Sequence, residues 1–150
     1  MDSEVKQFLE KLRQAKERGK LVEFIKAISE ADMYRPDGLV AKLARELRKS
    51  IKPTQLRKFF FLLKQVKEKI RSKEDYTKEV LKIYPLLHYA VARGVINKDF
   101  AELLTFLLEA GEKDREAMEK VIHFIESFVA YHKYFSSLKE ERRGPAKAKS

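Results

Sequence analysis

Apolar residues recur every three or four positions along most of the chain, a spacing that predicts α-helices. No stretch shows the strict alternation of apolar and polar residues that is typical of a half-buried strand. The first helix is predicted over residues 4–18, with Ser3 as its N-cap and Gly19 after its end. A second helix is predicted over residues 21–31, before a loop at residues 32–38. The pattern therefore indicates an all-α fold.

A proline separates the third predicted helix, residues 39–49, from the fourth. Pro53 disfavours helix in the residue before it but fits the first turn of the helix that follows. The fourth helix is predicted over residues 53–71, and a turn at residues 72–75 comes after it. Its core stripe has members three or four residues apart: Leu56, Phe59, Phe60, Leu63, Val66 and Ile70.

Glycine and proline also divide the region after this turn. The next helix is predicted to reach residue 92 or 93 before Gly94, and Pro85 either kinks it or divides it at Tyr84. Another helix is predicted over residues 98–110, with Gly111 as the C′ glycine that ends it.

The last predicted helix, residues 113–139, is the longest and has apolar residues over a wide arc. Such a helix lies either at the centre of its own bundle or against a neighbouring subunit. Residues 140–150 are predicted to be a flexible basic tail, because they contain Arg142, Arg143 and Pro145. We therefore expect a compact bundle of about five to seven helices with a long C-terminal helix, forming one domain at residues 1–139.

Positive charge is concentrated in one part of the chain. The whole sequence has 33 Lys and Arg against 23 Asp and Glu, a net charge of +10. Between Arg45 and Lys73 there are 11 basic and two acidic residues, so nearly all of the excess lies in about a fifth of the chain. A charge run is commonly a solvated helix face. Concentration in one segment equally favours an anionic partner, with nucleic acid first.

Residues for catalysis or metal binding are scarce. The chain has no cysteine, and it lacks the glycine-rich nucleotide-binding motifs, the His-Glu-x-x-His motif and the Gly-x-Ser-x-Gly motif. No two of its three histidines are three to five residues apart, as helical metal ligands would be. His132 falls on the predicted core stripe of the last helix, whereas His123 faces outward. We predict no catalytic residue, no metal, no cofactor and no small-molecule substrate.

Nothing in the sequence predicts a membrane segment or a leader. The longest apolar run, residues 59–63, is far shorter than the roughly 18 residues that span a bilayer. The first residues lack the basic and then apolar pattern of a signal peptide. Together with the absence of cysteine, this predicts a cytoplasmic protein with no membrane contact.

The start of the fourth helix combines polar and basic residues. Lys52, Thr54, Gln55, Arg57 and Lys58 follow one another closely, where a helix N-terminus also offers backbone N–H groups to a phosphate. Arg57 and Lys64 flank the core stripe on one side, and Lys58 lies on the other. Phe61, beside Arg57 and Lys64, either stacks on a base, packs on another subunit or is covered by another helix.

Three segments resemble one known family. Residues 52–59, Lys-Pro-Thr-Gln-Leu-Arg-Lys-Phe, resemble the Thr-x-Gln-Ile/Leu-Arg-Lys signature in the small subunit of the type III-A CRISPR interference (Csm) complex. Residues 84–93 resemble that family's Leu-x-Tyr-Ala-x-x-Arg helix, and residues 128–135 resemble its C-terminal Val-Ala-Tyr-His/Phe-Lys-Tyr/Phe helix. Lys52-Pro53 departs from the family, in which a small residue or threonine is common at this point.

The resemblance implies a non-catalytic helical subunit that stacks in several copies along the guide RNA and its complementary target RNA. RNA cleavage and cyclic oligoadenylate synthesis then belong to other subunits of the Csm complex. Carried onto this chain, the family's contacts fall on Gln55, Arg57, Lys58, Arg93 and Lys133, with Lys52 and Lys64 as neighbours. Binding would go to sugar and phosphate, because phosphate contacts position a protein without reading sequence.

Two other classes of function remain open from the sequence. The basic face could bind an acidic protein, which would make the chain a helical interaction module. A metal-independent ribonuclease would need cleavage that depends on His88, His123 or His132.

Overall fold

The all-α prediction is confirmed by a computed structural model, which describes the backbone of residues 3–149 and the side chains of residues 3–138. Over that range the chain forms nine helical segments and no strand, and two of the segments have only five residues. The segments are α1 (Glu4–Glu17), α2 (Leu21–Lys26), α3 (Glu30–Tyr34), α4 (Leu39–Leu47), α5 (Pro53–Arg71), α6 (Thr77–Leu81), α7 (Ile83–Ala92), α8 (Lys98–Lys113) and α9 (Arg115–Lys149).

Several helix ends lie where local chemistry predicts them. Ser3 caps α1, because its hydroxyl accepts a hydrogen bond from Lys6 N at 3.1 Å. Gly19 follows α1 in the left-handed conformation, with a φ of 69° that glycine adopts without strain. Pro53 is the first residue of α5, and Lys52 is its N-cap.

The predicted second helix is wrong, because it is two helices. Ser29 interrupts it and starts α3, since its hydroxyl accepts a hydrogen bond from Asp32 N at 3.1 Å. The predicted loop at residues 32–38 therefore begins inside a helix, which ends only at Tyr34. Serine competes for backbone hydrogen bonds and so favours a helix start over a helix interior.

Two further boundaries differ from the predictions. The helix around Pro85 divides at Lys82 rather than at Tyr84. Pro85 is the third residue of α7, in the first turn, where backbone N–H groups have no acceptor within the helix, so the missing N–H of proline costs no hydrogen bond. Gly111 does not end α8, which runs to Lys113. A Cβ at Gly111 would lie 2.1 Å from Met118 Sδ on α9, so this glycine permits close helix packing.

The long helix α9 lies at the centre of the bundle, the first of the two predicted alternatives. It packs against α4, α5 and α8, and its N-terminal two-thirds is buried on several sides. Phe124 stacks on Phe8 of α1, and Phe128 stacks on Phe100 of α8. The buried residues of this stretch are Ala117, Met118, Val121, Ile122, Phe124, Ile125, Ser127, Phe128 and His132.

The core stripe of α5 is confirmed for four of its six predicted members. Leu56, Phe59, Leu63 and Val66 are buried, whereas Phe60 and Ile70 are partly exposed and pack at the edge of the core. The side chains of the predicted tail, residues 140–150, lie outside the described residues, so the division into a domain and a tail stays a prediction. No helix of the described part is long and apolar enough to cross a membrane.

Candidate nucleic-acid interface

The first turns of α5 present the predicted polar and basic residues at the surface. Lys52, Thr54, Arg57 and Lys58 are exposed, and Gln55 is half-buried. The opposite side of this helix is anchored by Leu56 and Phe59, so the side chains outside the core stripe face away from the bundle. The sequence prediction that these residues share one exposed helix end agrees with this arrangement.

The backbone at this helix end offers less than the sequence indicated. Pro53 has no N–H, and the N–H groups of Gln55 and Leu56 both donate to Lys52 O at 3.0 Å. In the first turn this leaves the N–H of Thr54 for an anion. A phosphate at this helix end must therefore be held mainly by side chains.

A groove of about 230 Å³ separates the start of α5 from α9. Arg57 lies on the α5 side and Lys133 on the α9 side, although the two residues are far apart in the sequence. Both side chains are exposed. The groove is lined by Pro53, Leu56, Arg57, Val129, His132, Lys133, Ser136 and Ser137.

Lys64 and Arg93 lie outside this groove. Lys64 is two helical turns after Arg57, about 10 Å along the axis of α5, and its Nζ lies 4.8 Å from the centroid of the Phe60 ring. The guanidinium of Arg93 lies 5.6 Å from the centroid of the Tyr89 ring on α7. Phe61 is 63% exposed and is not covered by another helix of the described chain.

The end of α7 is nevertheless tied to the start of α5. Lys52 N donates to Val95 O at 2.9 Å, and Ile51 and Ile96 form an isolated antiparallel bridge. The connections before α5 and after α7 are thus held side by side. Arg93 lies two residues before Val95. These backbone hydrogen bonds, rather than a contact of the Arg93 side chain, therefore hold Arg93 near the start of α5.

The charge of the basic segment is divided between a free part and a paired part. In the second half of α5, Lys67 pairs with Glu126 at 3.0 Å, Lys69 with Glu74 at 3.5 Å, and Arg71 with Glu68 at 3.4 Å. The cations predicted as contacts have no carboxylate at ion-pairing distance among the residues whose side chains are described: Lys52, Arg57, Lys58, Lys64, Arg93 and Lys133.

His132 is a core residue, as its position on the stripe predicts. It is 1% exposed and stacks on Phe128 with ring centroids 6.1 Å apart. Burial lowers the pKa of His132, and a hydrogen bond with the backbone of Ile51 only partly opposes this effect. The imidazole is therefore neutral at pH 7. His123 is exposed.

The sequence did not point to two of the groove residues, Ser136 and Ser137. Ser136 follows His132 by one helical turn and lies on the same face of α9, and Ser137 lies next to it in the groove. The spacing of four residues between His132, on the core stripe, and Ser136 could have indicated that the two side chains share one face of the helix. No group of three or more His, Asp and Glu residues in the described part is placed to hold a metal ion.

Fold and site together define a class of protein: a small helical bundle in which cations from two helices, without carboxylate partners among the described side chains, meet at one groove. A family model described as Csm2 Type III-A matches residues 30–137, more than half of the chain. The chain therefore belongs to this family and is a small subunit of a type III-A Csm complex. Searches of curated proteins and of solved structures found no match.

Family membership has two general consequences. Small subunits of this family are generally structural and non-catalytic. Membership of a Csm complex implies that other Csm subunits and RNA are partners. The match begins at residue 30, before the three motifs, so it includes α3 and α4 as well as the basic helix α5.

Proposed function

We propose that this subunit binds the sugar–phosphate backbone of guide RNA, target RNA or both, without sequence preference and without catalysis. The observation that supports this most directly is the pair of cations that line the groove, Arg57 on α5 and Lys133 on α9, neither of which has a carboxylate partner among the described side chains. Lys52 and Lys58 are exposed near the same end of α5. A cation without a protein counterion gains more from a phosphate than one that must first leave a carboxylate. Thr54 and Gln55 add hydrogen-bonding groups to sugar or phosphate.

The outer residues extend the proposed surface. Lys64 lies over the partly buried ring of Phe60, and the exposed ring of Phe61 is next along the same helix. A cation close to an exposed aromatic ring in the sequence suits a single strand whose bases stack on protein. Arg93 and Tyr89 form a similar pair on α7. The two pairs lie on different helices, α5 and the end of α7.

The proposal includes assembly of several copies along the RNA, with other Csm subunits as neighbours, in cytoplasmic antiviral defence. Exposed apolar side chains supply candidate contacts between copies: Leu81, Tyr89 and Tyr134 are 48%, 61% and 54% exposed. Neither a membrane nor a small-molecule substrate takes part in this function.

The double variant Arg57→Ala/Lys58→Ala tests the proposal. Each phosphate contact to a single strand contributes about 0.7 to the slope of log affinity against log salt. Removal of two contacts should lower the slope by about 1.4 and the affinity roughly twentyfold at about 0.1 M salt. Binding is measured with two unrelated single-stranded RNAs, and both should lose affinity equally.

The matched control is Lys69→Ala/Arg71→Ala, which removes the same charge from the same helix at positions that already have carboxylate partners. This control should bind RNA within about threefold of the unmodified protein. Equal losses in both double variants would contradict the proposed site.

The same binding measurements separate the alternative functions. If the unmodified protein bound neither RNA but a folded acidic protein at the same salt, the interaction module would be the correct function. RNA cleavage that survives chelation would instead support a ribonuclease.

A further inference from the structure

Two buried polar atoms beneath the groove have no hydrogen-bond partner among the described residues: His132 Nε2 and Ser136 Oγ. Both residues line the groove between α5 and α9. Most buried polar atoms in proteins are hydrogen-bonded to protein or to water. Two unpartnered atoms, one turn apart on one helix face, therefore indicate a missing ligand at this place.

The chemistry of the two atoms narrows the class of ligand. Burial lowers the pKa of His132 and keeps the ring neutral, and in the tautomer that has its proton on Nδ1 the unpartnered Nε2 is an acceptor. The hydroxyl of Ser136 can donate or accept. The pair is thus complementary to a hydroxyl group, which donates to Nε2 and accepts from Ser136.

The residues around His132 and Ser136 add a second requirement for the ligand. Arg57 and Lys133 line the same groove with exposed cationic side chains, so an anion beside the hydroxyl would be stabilised. At about 230 Å³ the groove is smaller than the usual 300–1,000 Å³ of a small-molecule pocket. In RNA, the partner that membership of the family implies, the group that places a hydroxyl next to a phosphate is the ribose 2′-hydroxyl.

We propose that this groove is a ribose site, in which His132 Nε2 and Ser136 Oγ bind the 2′-hydroxyl of one nucleotide while Arg57 and Lys133 bind its flanking phosphates. Neither polar atom contacts solvent in the free protein, so side chains that line the groove must shift for the sugar to enter. This inference rests on the proposed RNA binding and adds that the subunit distinguishes RNA from DNA.

The test compares single-stranded RNA with 2′-deoxy and 2′-O-methyl strands of the same sequence at the same salt. The unmodified protein should bind RNA about three- to tenfold more tightly than either analogue, the range expected for one hydrogen-bonded group. Ser136→Ala and His132→Phe should each bring this ratio toward one. Ser137→Ala is the matched control, because it removes a neighbouring groove hydroxyl that is not one of the unpartnered atoms, and it should leave the ratio unchanged.

The outcomes separate this inference from the proposed function. If RNA and deoxy strands bind equally well, or if Ser136→Ala retains the full ratio, the ribose site is wrong and a buried water satisfies the two atoms. If no strand binds, the proposed RNA binding is itself wrong. Circular dichroism checks the fold of His132→Phe, and if that variant does not fold, Ser136→Ala decides the outcome.

Discussion

The face between α1 and α8 and the start of α5 both have several exposed cations, but among the side chains that the structure describes only the first face has them paired with carboxylates. Lys6, Arg13 and Lys16 on α1 lie opposite Asp99, Glu102 and Glu109 on α8, with N–O distances of 3.6, 2.8 and 3.0 Å. Arg13 makes a two-pronged hydrogen bond to Glu102, and this bond raises the pKa of the Arg13 guanidinium.

The start of α5 has no such arrangement. Across the groove lies α9, whose described lining residues are Val129, His132, Lys133 and two serines, with no carboxylate among them. The difference shows that the number of cations on a face does not identify a binding surface. The useful quantity is the number of cations that tertiary packing leaves without counterions.

Among the variants that test this comparison, Lys133→Glu should have the largest effect, because it places a carboxylate opposite a cation, as on the paired face. The new carboxylate faces Arg57 across the groove, so one phosphate contact is lost and a second is neutralised. We expect RNA affinity to fall roughly twentyfold at about 0.1 M salt. Lys16→Glu makes the same change of net charge on the paired face and should alter RNA affinity by less than threefold. Equal losses would mean that net charge alone governs binding.

A smaller effect concerns the pH dependence of stability, which should differ between the buried and the exposed histidine. Burial holds the folded-state pKa of His132 below its unfolded value of 6.5, so the unfolded chain binds more protons between these two values. The stability is therefore complete above about pH 6.5 and is lost as the pH falls, by at most about 1.4 kcal/mol per pH unit. Arg57 and Lys133 are the charged side chains among the residues that line the same groove.

Urea unfolding between about pH 5 and about pH 8 measures this dependence. His132→Phe should reduce the slope of unfolding free energy against pH, whereas His123→Gln, at an exposed position, should leave it unchanged. An unchanged slope in His132→Phe would show that this histidine titrates normally in the folded protein.

The smallest expected effect comes from releasing a paired cation. Glu126→Gln frees Lys67 on α5, the helix that begins at the proposed RNA surface, and should raise RNA affinity by about two- to fivefold. Glu102→Gln frees Arg13 on the paired face and should leave RNA affinity unchanged. A gain in both variants would indicate that any free cation contributes, wherever it lies.

Local chemistry made most of the fold predictable. Helix periodicity, the Ser3 cap, the glycine after α1 and the proline at the start of α5 each depend on residues within about one turn, so the sequence contains the whole signal. The cap formed by Ser29 also depends on neighbouring residues alone. It was not predicted, because the apolar spacing continues from α2 into α3 and so indicates one helix.

The role of Gly111 could not be predicted from neighbouring residues in the sequence. A glycine near a helix end is typical of a C-cap, and the sequence predicted one. The actual constraint is the approach of Met118 from the following helix, which depends on how α8 and α9 pack. The same limit applies to Pro85, because its effect depends on where α7 begins.

The sequence by itself determined the all-α class, most helix starts and ends, the buried stripe of α5 and the residues that resemble the Csm small subunit. Only the tertiary structure placed Arg57 across a groove from Lys133 and supplied Glu126 as a counterion for Lys67. Periodicity and capping are short-range effects within one segment, whereas the pairing of charges depends on which helix faces meet. Among the described side chains, the same basic segment therefore contains cations with a carboxylate partner and cations without one, and the packing of the helices decides which are paired.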